Sequence, residues 1–257
     1  MKIIGYMAAY NEAEFIEYAM RSTINSVDSF VAIEGAFKET VDAGGTLRSN
    51  DGTLEILDLL TQEFSRKLNV VPIPLAVQQL QHRNFIFDYI PYCLPSVAQQ
   101  DYWLWLIDAD EVYKEEDIVR LKEILDKTKA DVIKIDSLTF VNTFKHYVKI
   151  AFPRLFRIKA GHKYRFVAPN HIVNETERKL LQEENHENEV KFFHYSYCKN
   201  AERFLLKKQE RTLVNGNFKW YLDGGRVTAD GINLREFNGT HPEVMSLHRL
   251  NNANWDI

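Results

Sequence analysis

The segment that decides the fold reads Tyr102-Trp103-Leu104-Trp105-Leu106-Ile107 and continues at once into Asp108-Ala109-Asp110-Glu111. Six consecutive large apolar residues are typical of a strand that is buried on both faces, as the central strands of a parallel sheet are. The acidic residues then stand at the carboxyl end of that strand, where ligands bind in open α/β sheets. We therefore expect the chemistry of the protein at this strand end.

The chain before this segment alternates between strand and helix periodicity. Apolar runs at residues 2–9, 30–33 and 68–73 predict strands, and helical spacing follows each of them at 15–24, 54–64 and 77–90. The third helix is expected to stop near Pro91 and Pro95. This order predicts an α/β fold with a mostly parallel central sheet.

After the acidic segment the pattern predicts a helix over 115–128, strands over 131–142, 146–156 and 191–195, and a helix over 201–214. A basic stretch lies between residues 154 and 165. No composition break marks a linker, so we expect a single domain.

Composition excludes several classes of protein. The 257 residues are 45% hydrophobic and 26% charged, as in ordinary globular proteins, and the net charge is −4. An acidic chain has no cationic field for a nucleic-acid backbone, so no nucleic acid is expected as partner. No apolar run approaches the ~18 residues of a membrane-spanning helix. Two cysteines, Cys93 and Cys198, fit a reducing cytoplasm.

The polar residues at the strand ends indicate a nucleotide and metal site. Asp108 and Asp110 offer hard oxygen ligands that suit Mg²⁺ or Mn²⁺, although such a pair is also common in turns that cap a helix. Glu34 ends the second strand and can accept hydrogen bonds from a base or ribose. Arg83, on the predicted helix 77–90 before the apolar strand, has the planar fork that binds diphosphates.

These motifs together resemble the family 2 glycosyltransferases of the GT-A fold. The resemblance rests on Ala9-Tyr10-Asn11-Glu12, the acid that ends the second strand, Arg83-Asn84 and residues 106–111, and continues more weakly through 153–157, Asn170-His171 and 193–197. It implies a Rossmann-like three-layer α/β/α sandwich with a C-terminal acceptor-side extension. Residues 1–111 are then the nucleotide-sugar-binding half, and residues 112–257 are the acceptor half with a C-terminal helix and tail.

The resemblance also assigns roles to single residues. Glu34 would contact the nucleobase, Asp108 the ribose or the metal, and Asp110 the metal that bridges the donor diphosphate, with His194 completing the metal shell. The remaining donor-binding residues would be Ala9, Tyr10, Asn11, Glu12 and Arg83. The implied cofactor is Mn²⁺ or Mg²⁺, and the implied partners are a nucleoside-diphosphate sugar, with UDP-sugar favoured, and a saccharide or lipid-linked acceptor. A lipid-linked acceptor would place the enzyme peripherally at the inner face of a membrane.

Two departures from the family pattern limit these assignments. Many members follow the second strand with two acids and a Gly-Ser-Thr-Asp turn, whereas this chain has Glu34-Gly35-Ala36-Phe37-Lys38. No residue matches the catalytic base that an inverting transfer needs. We rank His171 and Glu175 first because they follow the basic stretch, and Asp136 and His241 remain alternatives.

Three other functions use parts of the same pattern. In a phosphatase of the haloacid-dehalogenase type, Asp108 would be the nucleophile and Asp110 would stand beside it. Phosphatases of that type carry this motif on an early strand and also need a later acidic pair. A nucleotidyltransferase would need an early glycine-rich basic loop. A nucleotide- or carbohydrate-binding relative without catalysis would need no base.

Overall fold

The computed structural model describes residues 1–186, 188–199, 203–206, 208–209, 220–223, 226–229, 231 and 233–248. The predicted helix over 201–214 and the tail lie in large part outside these residues. The strands are β1 (Lys2–Ala9), β2 (Ser29–Glu34), β3 (Leu68–Pro72), β4 (Tyr102–Leu106), β5 (Glu111–Val112), β6 (Val132–Val141), β7 (His146–Ile158), β8 (Tyr164–Ala168), β9 (His171–Asn174), β10 (Lys179–Leu180), β11 (Glu183–Asn185), β12 (Lys191–Tyr197), β13 (Trp220–Asp223), β14 (Arg226–Ala229) and β15 (Arg235–Glu236). The helices are α1 (Ile16–Thr23), α2 (Lys38–Asp42), α3 (Thr53–Glu63), α4 (Gln79–Cys93), α5 (Pro95–Ala98) and α6 (Glu115–Lys127).

The first four strands form a parallel sheet in the order β3-β2-β1-β4. β1 lies in its centre, with Tyr6 beside Val31 of β2 and Leu106 of β4. This is the strand order of the first half of a doubly wound fold, in which the carboxyl ends of the strands meet along one edge. The acidic segment after β4 and the Tyr10-Asn11-Glu12 segment after β1 therefore lie side by side.

The same sheet continues from β4 through β7, β6 and β12 to β5. β7 pairs antiparallel with both β4 and β6, and β5 pairs antiparallel with β12, whereas β6 and β12 are parallel. Among the described strands of this sheet, β5 and β7 run against the direction of the others. The predicted α/β fold with a mostly parallel sheet is confirmed.

Helices cover both faces of the sheet. Trp103 and Trp105 of β4 pack into one core with the apolar sides of α1, α3 and α6. Leu104 and Leu106 point to the opposite face and pack with α4 and α5. Successive side chains of a strand alternate between faces, so a strand that is apolar throughout must be covered twice. The result is the three-layer, Rossmann-like sandwich that the sequence predicted.

The end of α4 differs from the predicted last residue, Ile90. α4 continues through Pro91 to Cys93 and stops before Pro95. A proline removes one backbone hydrogen-bond donor and disfavours helical geometry at the residue before it. Here the buried side chains of Ile86 and Ile90 hold the last turn against the sheet, and the amide of Leu94 still donates to the Ile90 carbonyl at 2.9 Å. Within the described part of the chain, no helix combines the length and apolar character needed to span a bilayer.

Candidate active site

The segment after β1 is held in an unusual backbone conformation. Asn11 has a φ of +50°, in the left-handed region that asparagine tolerates better than most residues. Its amide donates to Ser49 Oγ at 3.0 Å, and its side-chain oxygen accepts from the Asn50 amide at 2.9 Å. The Glu12 amide donates to Thr53 Oγ1 at 2.7 Å. The turn at 49–53 therefore fixes the direction in which Tyr10, Asn11 and Glu12 leave the sheet.

The turn at 49–53 is separated from the end of β2 by a connecting segment that contains α2. The chain leaves β2 at Glu34, passes through α2 and returns at Ser49. The Glu34 side chain is fully buried, and its carboxylate accepts hydrogen bonds from Arg48 Nε and, at 2.8 Å, from the Ser49 amide. The structure thus places Glu34 at the carboxyl end of β2, as expected, but engages its carboxylate in holding the returning turn.

A cavity of about 520 Å³ opens at the carboxyl ends of β1 and β4. Its size is typical of a small-molecule site. The sequence-predicted residues that line it are Glu12, Arg83, Asp108, Asp110, His171 and His194. Ala9 and Tyr10 line a smaller neighbouring cleft that shares Glu12 with this cavity, and Asn11 lines a third, adjoining cleft. Residues from five separate parts of the chain are therefore brought to one site.

Asp108 is held by two arginines. Arg83 Nη2 lies 3.3 Å from Asp108 Oδ1, and Arg154 Nη2 lies 3.1 Å from Oδ2. Burial raises the pKa of the Asp108 carboxyl, but the Arg154 and Arg83 guanidiniums outweigh burial and hold that pKa below its usual value. Asp108 is therefore a carboxylate, with both oxygens directed by fixed positive charges.

Arg154 connects Asp108 to a second, fully buried acid. Its Nη2 also donates to Glu111, and its Nη1 donates to Asn170 Oδ1 at 3.1 Å. Burial raises the pKa of Glu111 to about 7, although the Arg154 charge acts in the opposite direction. Burial alone would lower the pKa of Arg154, but the charges of Glu111 and Asp108 raise it above the usual arginine value. The guanidinium therefore stays charged inside the protein.

Asp110 contacts two groups from the region of β12, a histidine on the strand and a lysine just after it. His194 Nε2 lies 3.1 Å from Asp110 Oδ1, and Lys199 Nζ lies 2.6 Å from Oδ2. The same ammonium is 2.6 Å from both carboxylate oxygens of Glu12. Burial lowers the pKa of Lys199, but Asp110 and Glu12 together raise it above the usual lysine value. Arg203 adds a donor on the other side, 2.9 Å from the Tyr10 carbonyl.

The donor set fits a divalent cation in type and spacing. Ligand atoms of Asp108, Glu111 and His194 all lie within 4.8 Å of one another, whereas the predicted ligand Asp110 stands outside that group, 3.1 Å from His194. Carboxylate oxygens with one imidazole nitrogen suit Mn²⁺ and also Mg²⁺. The other ring nitrogen of His194, Nδ1, lies 3.4 Å from Thr139 Oγ1, so the ring has the second partner that orients metal-binding histidines.

The four candidate bases occupy different environments. His171 lies on the cavity wall, whereas Glu175 is four residues further along the chain, about 13 Å in extended geometry, and forms an exposed pair with Arg165 at 2.8 Å. Asp136 is buried and bonded to Lys149. His241 is enclosed by Tyr195 and Phe144, and burial lowers its pKa to about 4. The structure brings His171 to the site and does not bring the other three there.

Sequence reasoning missed four residues of this network. The sequence marks Arg154 only as part of a basic stretch and Glu111 only as the last residue of the acidic segment 108–111. Lys199 and Arg203 follow β12, 89 positions or more after Asp110, and stand in no recognisable motif. Their one signal is positive charge close to the end of a predicted strand, which is too common to single them out.

No protein-family model and no curated protein matches the chain. Solved structures are similar to it at low identity. The structure of S. aureus TarS is 12% identical, with 84% of this chain and 40% of that chain covered and a TM-score of 0.44. TarS 1-349 in complex with UDP-GlcNAc is 16% identical, with 55% and 35% covered and a TM-score of 0.37. A 4-diphosphocytidyl-2C-methyl-D-erythritol synthase is 13% identical, with 62% and 76% covered and a TM-score of 0.39. The chain spans less than half the length of the TarS structures that it resembles.

Proposed function

We propose that this protein is a glycosyltransferase related to family 2 of the GT-A fold. It moves a sugar from a nucleoside-diphosphate donor, with UDP-sugar favoured, to a hydroxyl group of a saccharide or lipid-linked acceptor in polysaccharide, lipopolysaccharide or glycan assembly. One observation carries the proposal: a single cavity at the carboxyl ends of the strands collects Arg83, Asp108, Asp110 and His194. Carboxylates for a cation and guanidiniums for phosphates are what a nucleoside-diphosphate sugar requires.

The donor diphosphate is the group that these residues suit best. Asp108, Asp110 and His194 would hold Mn²⁺ or Mg²⁺, which when bound supplies positive charge to the leaving diphosphate. Arg83 lines the same cavity, and its Nε and Nη1 have no hydrogen-bond partner among the described residues. Arg154 is fixed by Asp108, Glu111 and Asn170, so its charge needs no rearrangement when negative charge develops nearby.

His171 is the proposed base. His171 begins β9 and lines the cavity, and in the part of the chain that the structure describes it forms no ion pair with an acid. As the acceptor oxygen attacks the anomeric carbon, the imidazole takes the hydroxyl proton. The bond from that carbon to the diphosphate oxygen breaks on the opposite side, so the transfer inverts the configuration.

Donor binding is the first test. The protein is titrated by calorimetry with UDP-, GDP- and dTDP-sugars in the presence of Mn²⁺ or Mg²⁺, and release of the nucleoside diphosphate is followed with acceptor saccharides. We expect a UDP-sugar to bind and Asp110→Ala to weaken that binding about tenfold or more. If no nucleotide sugar binds, or if Asp110→Ala binds as tightly as wild type, the proposed donor site is wrong.

A matched pair of variants, one at the start of β9 and one just after its end, tests the base. His171→Ala should keep donor binding and lose turnover by about 10² or more, since a general base contributes at least that much. Glu175→Ala, just after the end of β9, should keep both. Full turnover in His171→Ala rejects the assignment, and a selective loss in Glu175→Ala transfers it to that residue.

A further inference from the structure

The Lys199 ammonium lies between the carboxylates of Glu12 and Asp110. It lies 2.6 Å from both carboxylate oxygens of Glu12 and 2.6 Å from Asp110 Oδ2, and 6% of the side chain is exposed. Glu12 follows β1, Asp110 follows β4 and Lys199 follows β12. One positive charge therefore joins three distant segments, next to two carboxylates that line the 520 Å³ cavity.

This position matters because Asp110 is also a proposed cation ligand. Its Oδ2 contacts Lys199, and its Oδ1 faces His194 Nε2 at 3.1 Å. A divalent cation at Asp110 would stand within a few ångströms of the ammonium, and like charges at that distance repel strongly where little water screens them. A cation bound at Oδ2 would compete with Lys199 for that oxygen, and a cation bound at Oδ1 would still face the ammonium across the same carboxylate.

We propose that Lys199 is a built-in counter-cation of the donor site, and that Mn²⁺ or Mg²⁺ binds at Asp110 only when the Lys199 ammonium leaves Glu12 and Asp110. The proposal rests on the cation site of the proposed function.

The surrounding residues allow such an exchange. Lysine carries its charge on a flexible four-carbon stem, whereas the Arg154 guanidinium is held by the buried Glu111. Arg203 Nη2 already lies 3.5 Å from Glu12 Oε1 and donates to the Tyr10 carbonyl. Glu12 thus keeps a positive neighbour after Lys199 departs, and the cation encounters one fewer competing charge.

Binding of Mn²⁺ alone tests the proposal without any nucleotide sugar. Wild type, Lys199→Gln and Lys149→Gln are titrated by calorimetry and by the electron paramagnetic resonance signal of free Mn²⁺. Lys149 is the matched control because it pairs with the buried Asp136, outside the cavity. We expect Lys199→Gln to bind Mn²⁺ at least about tenfold more tightly than wild type, and Lys149→Gln to bind as wild type does. Equal or weaker binding in Lys199→Gln, or no binding in any of the three proteins, overturns the proposal.

A second measurement uses the wild-type protein and so does not depend on a variant that folds. Lysines are acetylated with a limiting amine-reactive ester, with and without saturating Mn²⁺, and modification is quantified by mass spectrometry. Lys199 should become several-fold more reactive with Mn²⁺, while the exposed Lys38 stays unchanged. Unchanged Lys199 reactivity overturns the proposal. A protein that binds UDP-sugars but fails both tests keeps its proposed function and loses this inference.

Discussion

Replacing Arg154 with methionine should strongly destabilise the protein. Arg154 and Glu111 are both almost completely buried and bonded to each other. Methionine fills much of the arginine volume but leaves the Glu111 carboxylate without its partner in a site that water does not reach. Removing one member of a buried pair costs about 3–5 kcal/mol of unfolding free energy, and we expect a loss in that range at pH 8.

The loss should depend on pH. The pKa of Glu111 is raised from 4.5 to about 7 in the folded protein, so this group favours the folded state fully below about pH 4.5, and that contribution is lost as pH rises through 7. Each unit of pKa shift corresponds to about 1.4 kcal/mol. Without Arg154 the pKa rises further. At pH 5.5 the carboxyl is already protonated when folded, so Arg154→Met should cost clearly less there than at pH 8.

Urea unfolding followed through the fluorescence of the buried Trp103 and Trp105 measures these differences. The double variant Arg154→Met/Glu111→Gln should recover about 1–3 kcal/mol relative to the sum of the single variants, because it leaves no buried charge. Arg165→Met, at an exposed ion pair, should change stability by less than about 0.5 kcal/mol. A loss below about 1 kcal/mol in Arg154→Met, or strict additivity in the double variant, would refute the reasoning.

Three further predictions concern the elements that support the site. Burial, together with the charge of Arg83, lowers the pKa of His82 from 6.5 to about 4. The stabilisation that the neutral His82 contributes, up to about 3 kcal/mol, is present above about pH 6.5 and is lost as pH falls through 4. His82→Leu should therefore flatten the profile of melting temperature against pH. Asn84 accepts from the Phe166 amide at 2.6 Å and donates to its carbonyl at 3.2 Å; Asn84→Ala should lower the urea midpoint by an amount equal to about 1–3 kcal/mol, and an unchanged midpoint would contradict this. A Cβ at Gly5 would stand 2.7 Å from the Phe30 ring, so Gly5→Ala should destabilise by about 1–3 kcal/mol unless Phe30→Leu relieves the contact.

The sequence was sufficient to predict the central elements because their patterns are local. β4 is apolar throughout and β1 is apolar after Lys2, since both of their faces are covered by helices, and consecutive apolar residues are the sign of that burial. α1 and α3 show apolar residues at helical spacing because only one face of each helix packs against the sheet. The placement of Asp108 and Asp110 at a strand end followed directly.

The contacts between those elements were not predictable from local patterns. Glu34 ends its strand as expected, but whether its carboxylate meets a ligand depends on Arg48 and Ser49, which return only after α2. The meeting of Lys199 with Glu12 joins residues 187 positions apart. Such partners are fixed by the order of strands in the sheet, and no spacing along the chain encodes them.

The reversed direction of β7 has a consequence for how the cavity wall is built. Tyr102 to Trp105 of β4 pair with Ile158 to Leu155 of β7, so the earlier part of β7 runs on beyond the carboxyl end of β4. Arg154 is the first residue past that pairing, and Phe152 behind it also faces the cavity. Substitutions at Phe152 would therefore reshape the cavity wall without altering the residues of β7 that pair with β4. A reversed strand of this kind lets part of the cavity wall vary while the parallel strands that precede the acidic segment stay constant.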